Sequence, residues 1–77
     1  MDASKITTVT TRYIEFLTGP RDNLSYLLCC ELNGKDSLSL LPENCTAYRF
    51  IDIHDRVDEN GEVIRPVGRT THPIVYL

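Results

Sequence analysis

Asp52-Ile53-His54-Asp55 is the run of side chains in this sequence best suited to chemistry. Residues two apart on a strand share a face at a separation of about 7 Å, so Asp52 and His54 would stand side by side. A carboxylate and an imidazole at that spacing can hold a divalent metal, with His72 as a third ligand, or act as an acid–base pair. The plainer alternative is a ladder of ion pairs and hydrogen bonds to Arg49, Arg56 or Arg65 on neighbouring strands. The sequence favours that alternative: His54 and His72 are its only histidines, and no spacing matches a metal-binding signature. No catalytic residue, metal ligand or cofactor is therefore assigned, and a metal-dependent enzyme built on Asp52 and His54 is the weakest of three functional expectations.

The three cysteines offer little more. Their odd number excludes a complete disulfide framework. Cys29 and Cys30 are adjacent, so on a strand they point to opposite faces and cannot share a metal. Flanked by Leu and Tyr, they read as buried, inert thiols. Cys45 follows a turn and is expected to be the more exposed and more labile one. Gly19-Pro20-Arg21-Asp22-Asn23 has the residues of a tight connection. A phosphate cradle would need further glycines leading into a helix, and no helix follows.

A second pattern concerns recognition. Six arginines against two lysines, interleaved with Tyr13, Tyr26, Tyr48, Phe50 and Tyr76, suit planar and aromatic contacts. The same enrichment marks protein interfaces and base-stacking nucleic-acid surfaces. Acidic residues exceed basic ones by 11 to 8, a net charge of −3. That balance lacks the electrostatic footprint of a nucleic-acid binder, so a protein partner is the first expectation. The contact surface is expected to combine Tyr48, Phe50, Asp52, His54 and Arg56 with Glu59 and Asn60 of the 58–61 turn.

The elements that position these residues are strands. Thr7, Thr8, Val9, Thr10 and Thr11 are poor helix formers that fit a pleated surface, and 6–17 reads as one long strand. Thr18 to Asn23 break the chain. Leu24 to Leu32, Asn33-Gly34 and Lys35 to Leu41 then read as a central β-hairpin. A three-residue loop with a Gly34 bulge would set Glu31 opposite Lys35, Leu28 opposite Leu38 and Tyr26 opposite Leu40. Pro42-Glu43-Asn44 is a turn. In the strand 48–57, Arg49, Ile51, Ile53 and Val57 occupy one face and Tyr48, Phe50, Asp52, His54 and Arg56 the other. Asp58-Glu59-Asn60-Gly61 is a second hairpin turn. The returning strand, 62–67, contains Pro66, which confines it to an edge or a bulge. Gly68 to Thr71 form a third turn before a short terminal strand at 73–77.

The chain is thus expected to be a single small domain over 1–77. Its fold class is all-β, a small antiparallel sheet or partly open barrel of five to six strands. One short helical turn could replace part of 12–18 or 42–47. A core this small is marginal and would gain from a partner or a second copy. The first strand, with little charge between Ile6 and Thr11, and the apolar end Ile74-Val75-Tyr76-Leu77 offer edges for a homodimer, or else pair with each other and close a barrel. The first residues, Met1 to Lys5, lack the order of a signal peptide, and the longest apolar run is far too short to span a membrane. The expected location is cytoplasmic.

Together these features predict a small acidic, non-enzymatic protein-binding protein: an inhibitor, adaptor or small subunit acting on a larger protein, as phage-type antagonists of this size do. A nucleic-acid or nucleotide binder on an OB-like or SH3-like barrel is the alternative.

Overall fold

A computed structural model describes residues 5–77; Met1 to Ser4, on which part of the signal-peptide argument rests, lie outside the described residues. The chain forms β1 (Thr7–Thr18), β2 (Ser25–Glu31), a 3₁₀ turn (Ser37–Leu40), β3 (Ala47–Val57), β4 (Val63–Thr71) and β5 (Val75–Tyr76). All strands belong to one antiparallel sheet in the order β2-β1-β3-β4, with β5 also paired to β3. The sheet is open, so the barrel form of the expectation is not realised. The first and last strands do not pair with each other; β5 meets β3 at Ala47 and Tyr48.

β1 and β3 are the long axis of the molecule. Thr7 lies opposite Val57 and Leu17 opposite Ala47, in unbroken register between. The β-branched run of β1 explains its length, since each Thr or Val packs well on a pleated surface and none favours a helix. The second hairpin forms at 58–61 as expected. The Asp58 side chain accepts from the Asn60 and Glu62 amides at 2.9 and 3.0 Å, and Gly61 takes a positive φ of 84°. Pro66 sits in a bulge of β4, an edge strand, where its missing N–H breaks no regular ladder. Gly68 to Thr71, expected as a turn, instead continue β4 beside Ile51 to His54.

The central hairpin is the main correction. Asn33 and Gly34 do form a tight turn: both have positive φ, 46° and 83°, and the Lys35 amide donates to the Leu32 carbonyl at 2.7 Å. The residues after it do not return as a strand. Asp36 caps a 3₁₀ turn, its carboxylate accepting from the Leu38 amide at 3.2 Å while Ser39 Oγ donates to its carbonyl at 2.6 Å. β2 pairs with β1 instead, so Leu28 faces Phe16 rather than Leu38, Tyr26 faces Leu17 rather than Leu40, and Glu31 faces Tyr13 rather than Lys35. The helical turn thus falls at Ser37–Leu40, outside 12–18 and 42–47.

Burial is concentrated at one end. The buried apolar residues among those described are Ile14, Phe16, Leu17, Ala47 and Ile51. Two connections and Leu77 converge there. The Thr46 amide donates to the Leu17 carbonyl at 2.9 Å, and the Leu77 amide to the Thr46 carbonyl at 3.0 Å. Thr18 Oγ1 donates to the Asn44 carbonyl at 2.7 Å, and Thr46 Oγ1 to the Gly19 carbonyl at 2.8 Å. Gly19 is needed in this clasp: its φ is 108°, and a Cβ would come within 2.9 Å of the Asn23 carbonyl oxygen. Arg21 lies over the Tyr76 ring at 4.1 Å.

The result is a single layer. The Cα trace measures 56 × 24 × 14 Å with a radius of gyration of 16.0 Å, against roughly 11–12 Å for a compact chain of this length. No helix of the described residues is long and apolar enough to cross a membrane.

Candidate functional site

Alternation along β3 places Tyr48, Phe50, Asp52, His54 and Arg56 on one face, and the register with β1 adds Phe16, Ile14, Arg12, Thr10 and Thr8 beside them. β4 contributes Thr70 opposite Asp52 and Gly68 opposite His54. The five β3 residues chosen from the sequence do share a surface. Glu59 and Asn60 are exposed in the hairpin turn beyond its far end.

Asp52 is the pivot. It is the one buried charged residue among those described, 7% exposed. Arg12 grips it with a fork: Nε donates to Oδ1 at 2.8 Å and Nη2 to Oδ2 at 2.9 Å, a geometry in which both oxygens are satisfied by one planar cation. His72 Nε2 lies 2.8 Å from Oδ2 on the other side, which assigns the proton to that nitrogen and makes it a donor. These bonds, Arg12 first and His72 second, hold the Asp52 carboxyl far below the usual carboxylate range, against the opposing effect of burial. The Arg12 guanidinium is in turn pushed above its ordinary value by its bond to Asp52.

His54 takes no part in this group. Its Nδ1 lies 3.0 Å from Thr10 Oγ1 and its Nε2 2.8 Å from Thr70 Oγ1. Gly68 lies beside the ring, where a Cβ would meet the His54 Cβ at 3.4 Å, an ordinary contact distance. Asp52 and His54 are therefore neighbours on one face with separate sets of partners, and His72, placed third in the metal arrangement, contacts Asp52 alone of the two. No group of three His, Cys, Asp or Glu side chains among the described residues is arranged to hold a metal ion. The Asp52–His72 pair has the form of an oriented imidazole, but among the described residues that ring nitrogen contacts Asp52 and Arg12, and no hydroxyl or thiol joins them.

The two ends of the face differ: Tyr48 and Phe50 are half-buried beside Phe16 and Ile14, whereas Arg56 is exposed. Tyr48 and Phe50 meet edge to face, with ring centroids 5.7 Å apart, and Arg12 lies over the Phe50 ring at 5.1 Å. Arg56 is exposed, with Nη2 donating to the Pro66 carbonyl at 3.0 Å. Thr8, His54, Arg56 and Pro66 to Gly68 line a shallow depression of about 320 Å³. The face thus divides into an aromatic step, a closed ionic centre and a basic upper end.

The ladder expected around Asp52 exists, but with a different arginine. Arg49, on the opposite face, donates to Glu15 at 2.6 Å, and Arg56 bonds to a carbonyl. Arg12, 40 residues from Asp52, becomes legible as a partner only once β1 and β3 are known to be adjacent. The cysteines also fall differently. Cys29 is exposed, and its thiol is pushed up by burial of the sulfur and then by Glu15. Cys45, expected to be open, is partly buried, with Sγ donating to the Ala47 carbonyl at 3.0 Å.

No protein-family model matches the chain, and neither a curated protein nor a solved structure is significantly similar to it.

Proposed function

We propose that this chain is a small non-enzymatic protein-binding protein, an inhibitor, adaptor or small subunit, whose sheet completes its interior against a larger protein. One observation carries this reading: the fold is a single sheet with five buried apolar residues among those described and an extended shape. Stable domains pack two layers of secondary structure around a core, and here a partner supplies the second. The face of Tyr48, Phe50, Asp52, His54 and Arg56 suits that role. Its ionic centre is internally satisfied, so covering it leaves no charge without a partner. Its aromatic step and the exposed Arg56 have the composition of interface anchors. Glu59 and Asn60, at the tip, would form the rim.

The test is affinity capture from source-cell lysate with the wild-type chain and a Tyr48→Ala/Arg56→Glu variant, paired with circular dichroism to confirm unchanged strand content. The expected result is a protein held by the wild type and lost by the variant. Equal capture by both would overturn this face. Recovery of nucleic acid instead of protein, or of neither, would overturn the protein-binding reading itself.

A further inference from the structure

β1 changes its surroundings part-way along. From Tyr13 to Thr18 it lies between β2 and β3. Beyond that β2 has ended, and the last bond across the seam runs from the Leu32 amide to the Arg12 carbonyl at 3.0 Å. Thr7 to Thr11 remain paired with β3 on the inner side, while no strand among the described residues lies on the outer side. In an antiparallel ladder both backbone groups of a residue point the same way, and alternate residues point to opposite sides. The Arg12 carbonyl points outward, so the N–H and C=O groups of Thr10 and Thr8 do as well. They form a row of two donors and two acceptors with no strand partner among the described residues.

Proteins usually blunt such an edge with charge, proline or a bulge. The other edges of this sheet are blunted, β5 by being only two residues long. β4 carries Arg65, Pro66, Arg69 and a bulge, and β2 is irregular where Leu27 interrupts its register with β1. The Ile6 to Thr11 edge has no charge, no proline and an unbroken register with β3.

We infer that a second copy of this chain occupies this edge, β1 against β1, about a two-fold axis at Val9. That register sets Thr8 opposite the partner's Thr10 and Thr10 opposite the partner's Thr8, so that all four outward groups of each copy are bonded. Val9 meets the partner's Val9, and Thr7 meets the partner's Thr11; like meets like with no charges opposed. Val9 is 47% exposed, and its neighbour across β3 on the same face is Asp55, so the pairing brings the two Val9 side chains together on the axis with an Asp55 flanking each. Where β2 ends, Thr10, Arg12, Glu31 and the Leu32 to Lys35 turn border an open notch of about 470 Å³. The partner's chain leaves through this notch, which brings the partner's Lys5 towards Glu31. Edge pairing yields a ten-stranded sheet and leaves both faces free, so it stands independently of the partner face proposed above.

Sedimentation equilibrium of the purified chain tests it. The wild-type mass should move from 8.8 kDa towards twice that value as concentration rises to roughly 0.5 mM, the range expected of a small interface. Thr8→Pro removes an outward N–H without touching the β1–β3 ladder, and should weaken association by on the order of tenfold or more. Thr8→Val keeps the backbone and should change it little. Val9→Asp, at an exposed position, sets two carboxylates on the axis, each beside the Asp55 of its own copy, and should abolish it, which keeps the test decisive if the proline variant folds poorly. A monomeric wild type at the highest concentration, or a dimer that survives Val9→Asp, would overturn the inference. Either result would leave capture of a larger protein unaffected.

Discussion

The two ends of this sheet are made from the same two strands and behave as different kinds of structure. At the clasped end, Ile14 and Phe16 are 1% and 0% exposed, and two connections and Leu77 are tied across Leu17 and Ala47. In the distal arm, Thr7 to Thr11, Ile53 to Val57 and Val63 to Gly68 form three strands with no buried residue among them. Strand propensity does not distinguish the two ends, because the Thr-rich arm has as much of it as the Ile-Phe-Leu end. The difference is cover. The 18–24 and 42–46 connections bond to one another at one end, while only the 58–61 hairpin lies at the other, so half of the molecule resembles a domain and half resembles a surface awaiting one. Asp52 sits at the joint, with Arg12 and His72 closing the last polar layer before the arm begins.

The largest contrast should come from truncating one apolar residue at each end. Phe16→Ala should cost about 3–5 kcal/mol, a large share of the roughly 4–12 kcal/mol available to a chain of this length, and leave much of the protein unfolded. Val9→Ala should cost no more than about 1 kcal/mol. Urea titrations monitored by circular dichroism measure both, and similar midpoints would remove the distinction between the ends.

Asp52 should give an intermediate effect with a pH signature. Its carboxyl titrates below the ordinary 3.8 in the folded protein. Its contribution to stability is therefore complete above that unfolded value and is lost as the pH falls through the lower folded one. Asp52→Asn should lower Tm by several degrees at pH 7, and its Tm should fall less steeply than wild type between pH 5 and pH 2. Parallel Tm profiles for the two proteins would show that the ionic centre does not anchor the arm.

The smallest effect should come from Glu15 and Arg49. They lie at the clasped end, part-buried, with side chains 15% and 31% exposed, and a glutamine at position 15 keeps an acceptor for Arg49. Glu15→Gln should change stability by no more than about 1 kcal/mol. Because Glu15 is second only to burial in raising the Cys29 thiol, the same variant should speed alkylation of Cys29 slightly at neutral pH. A loss as large as that of Phe16→Ala would mean that ionic contacts, not apolar cover, hold this end together.

Much of the strand content is legible in the sequence because its signals are local. The Thr run requires β1, alternation sorts the two faces of β3, Asp58 and Gly61 mark a hairpin, and Pro66 belongs at an edge or bulge. The Asn33-Gly34 turn is also legible, since both residues tolerate positive φ. The path of the chain beyond that turn is not. Asp36 is a capping residue, and by capping a 3₁₀ turn it leaves Leu38 and Leu40 outside the sheet. The partner of β2 is then β1, the strand just before it, across the six residues 19–24; the Asn33-Gly34 turn signal pointed to the following segment instead, and no local pattern ranks one neighbour above the other. The Asp52 site is half legible for the same reason: alternation defines its face, but nothing local brings Arg12 to it.

Side-chain alternation along each strand, the position of turns and the absence of long helical periods were determined by the sequence alone, because steric preference and a two-residue repeat act between near neighbours. Strand order, the choice of Arg12 and His72 as partners of Asp52, and the cover given to one end but not the other were decided only in the tertiary structure. Those outcomes depend on which distant backbone edges meet, and many registers of this chain satisfy the same local rules.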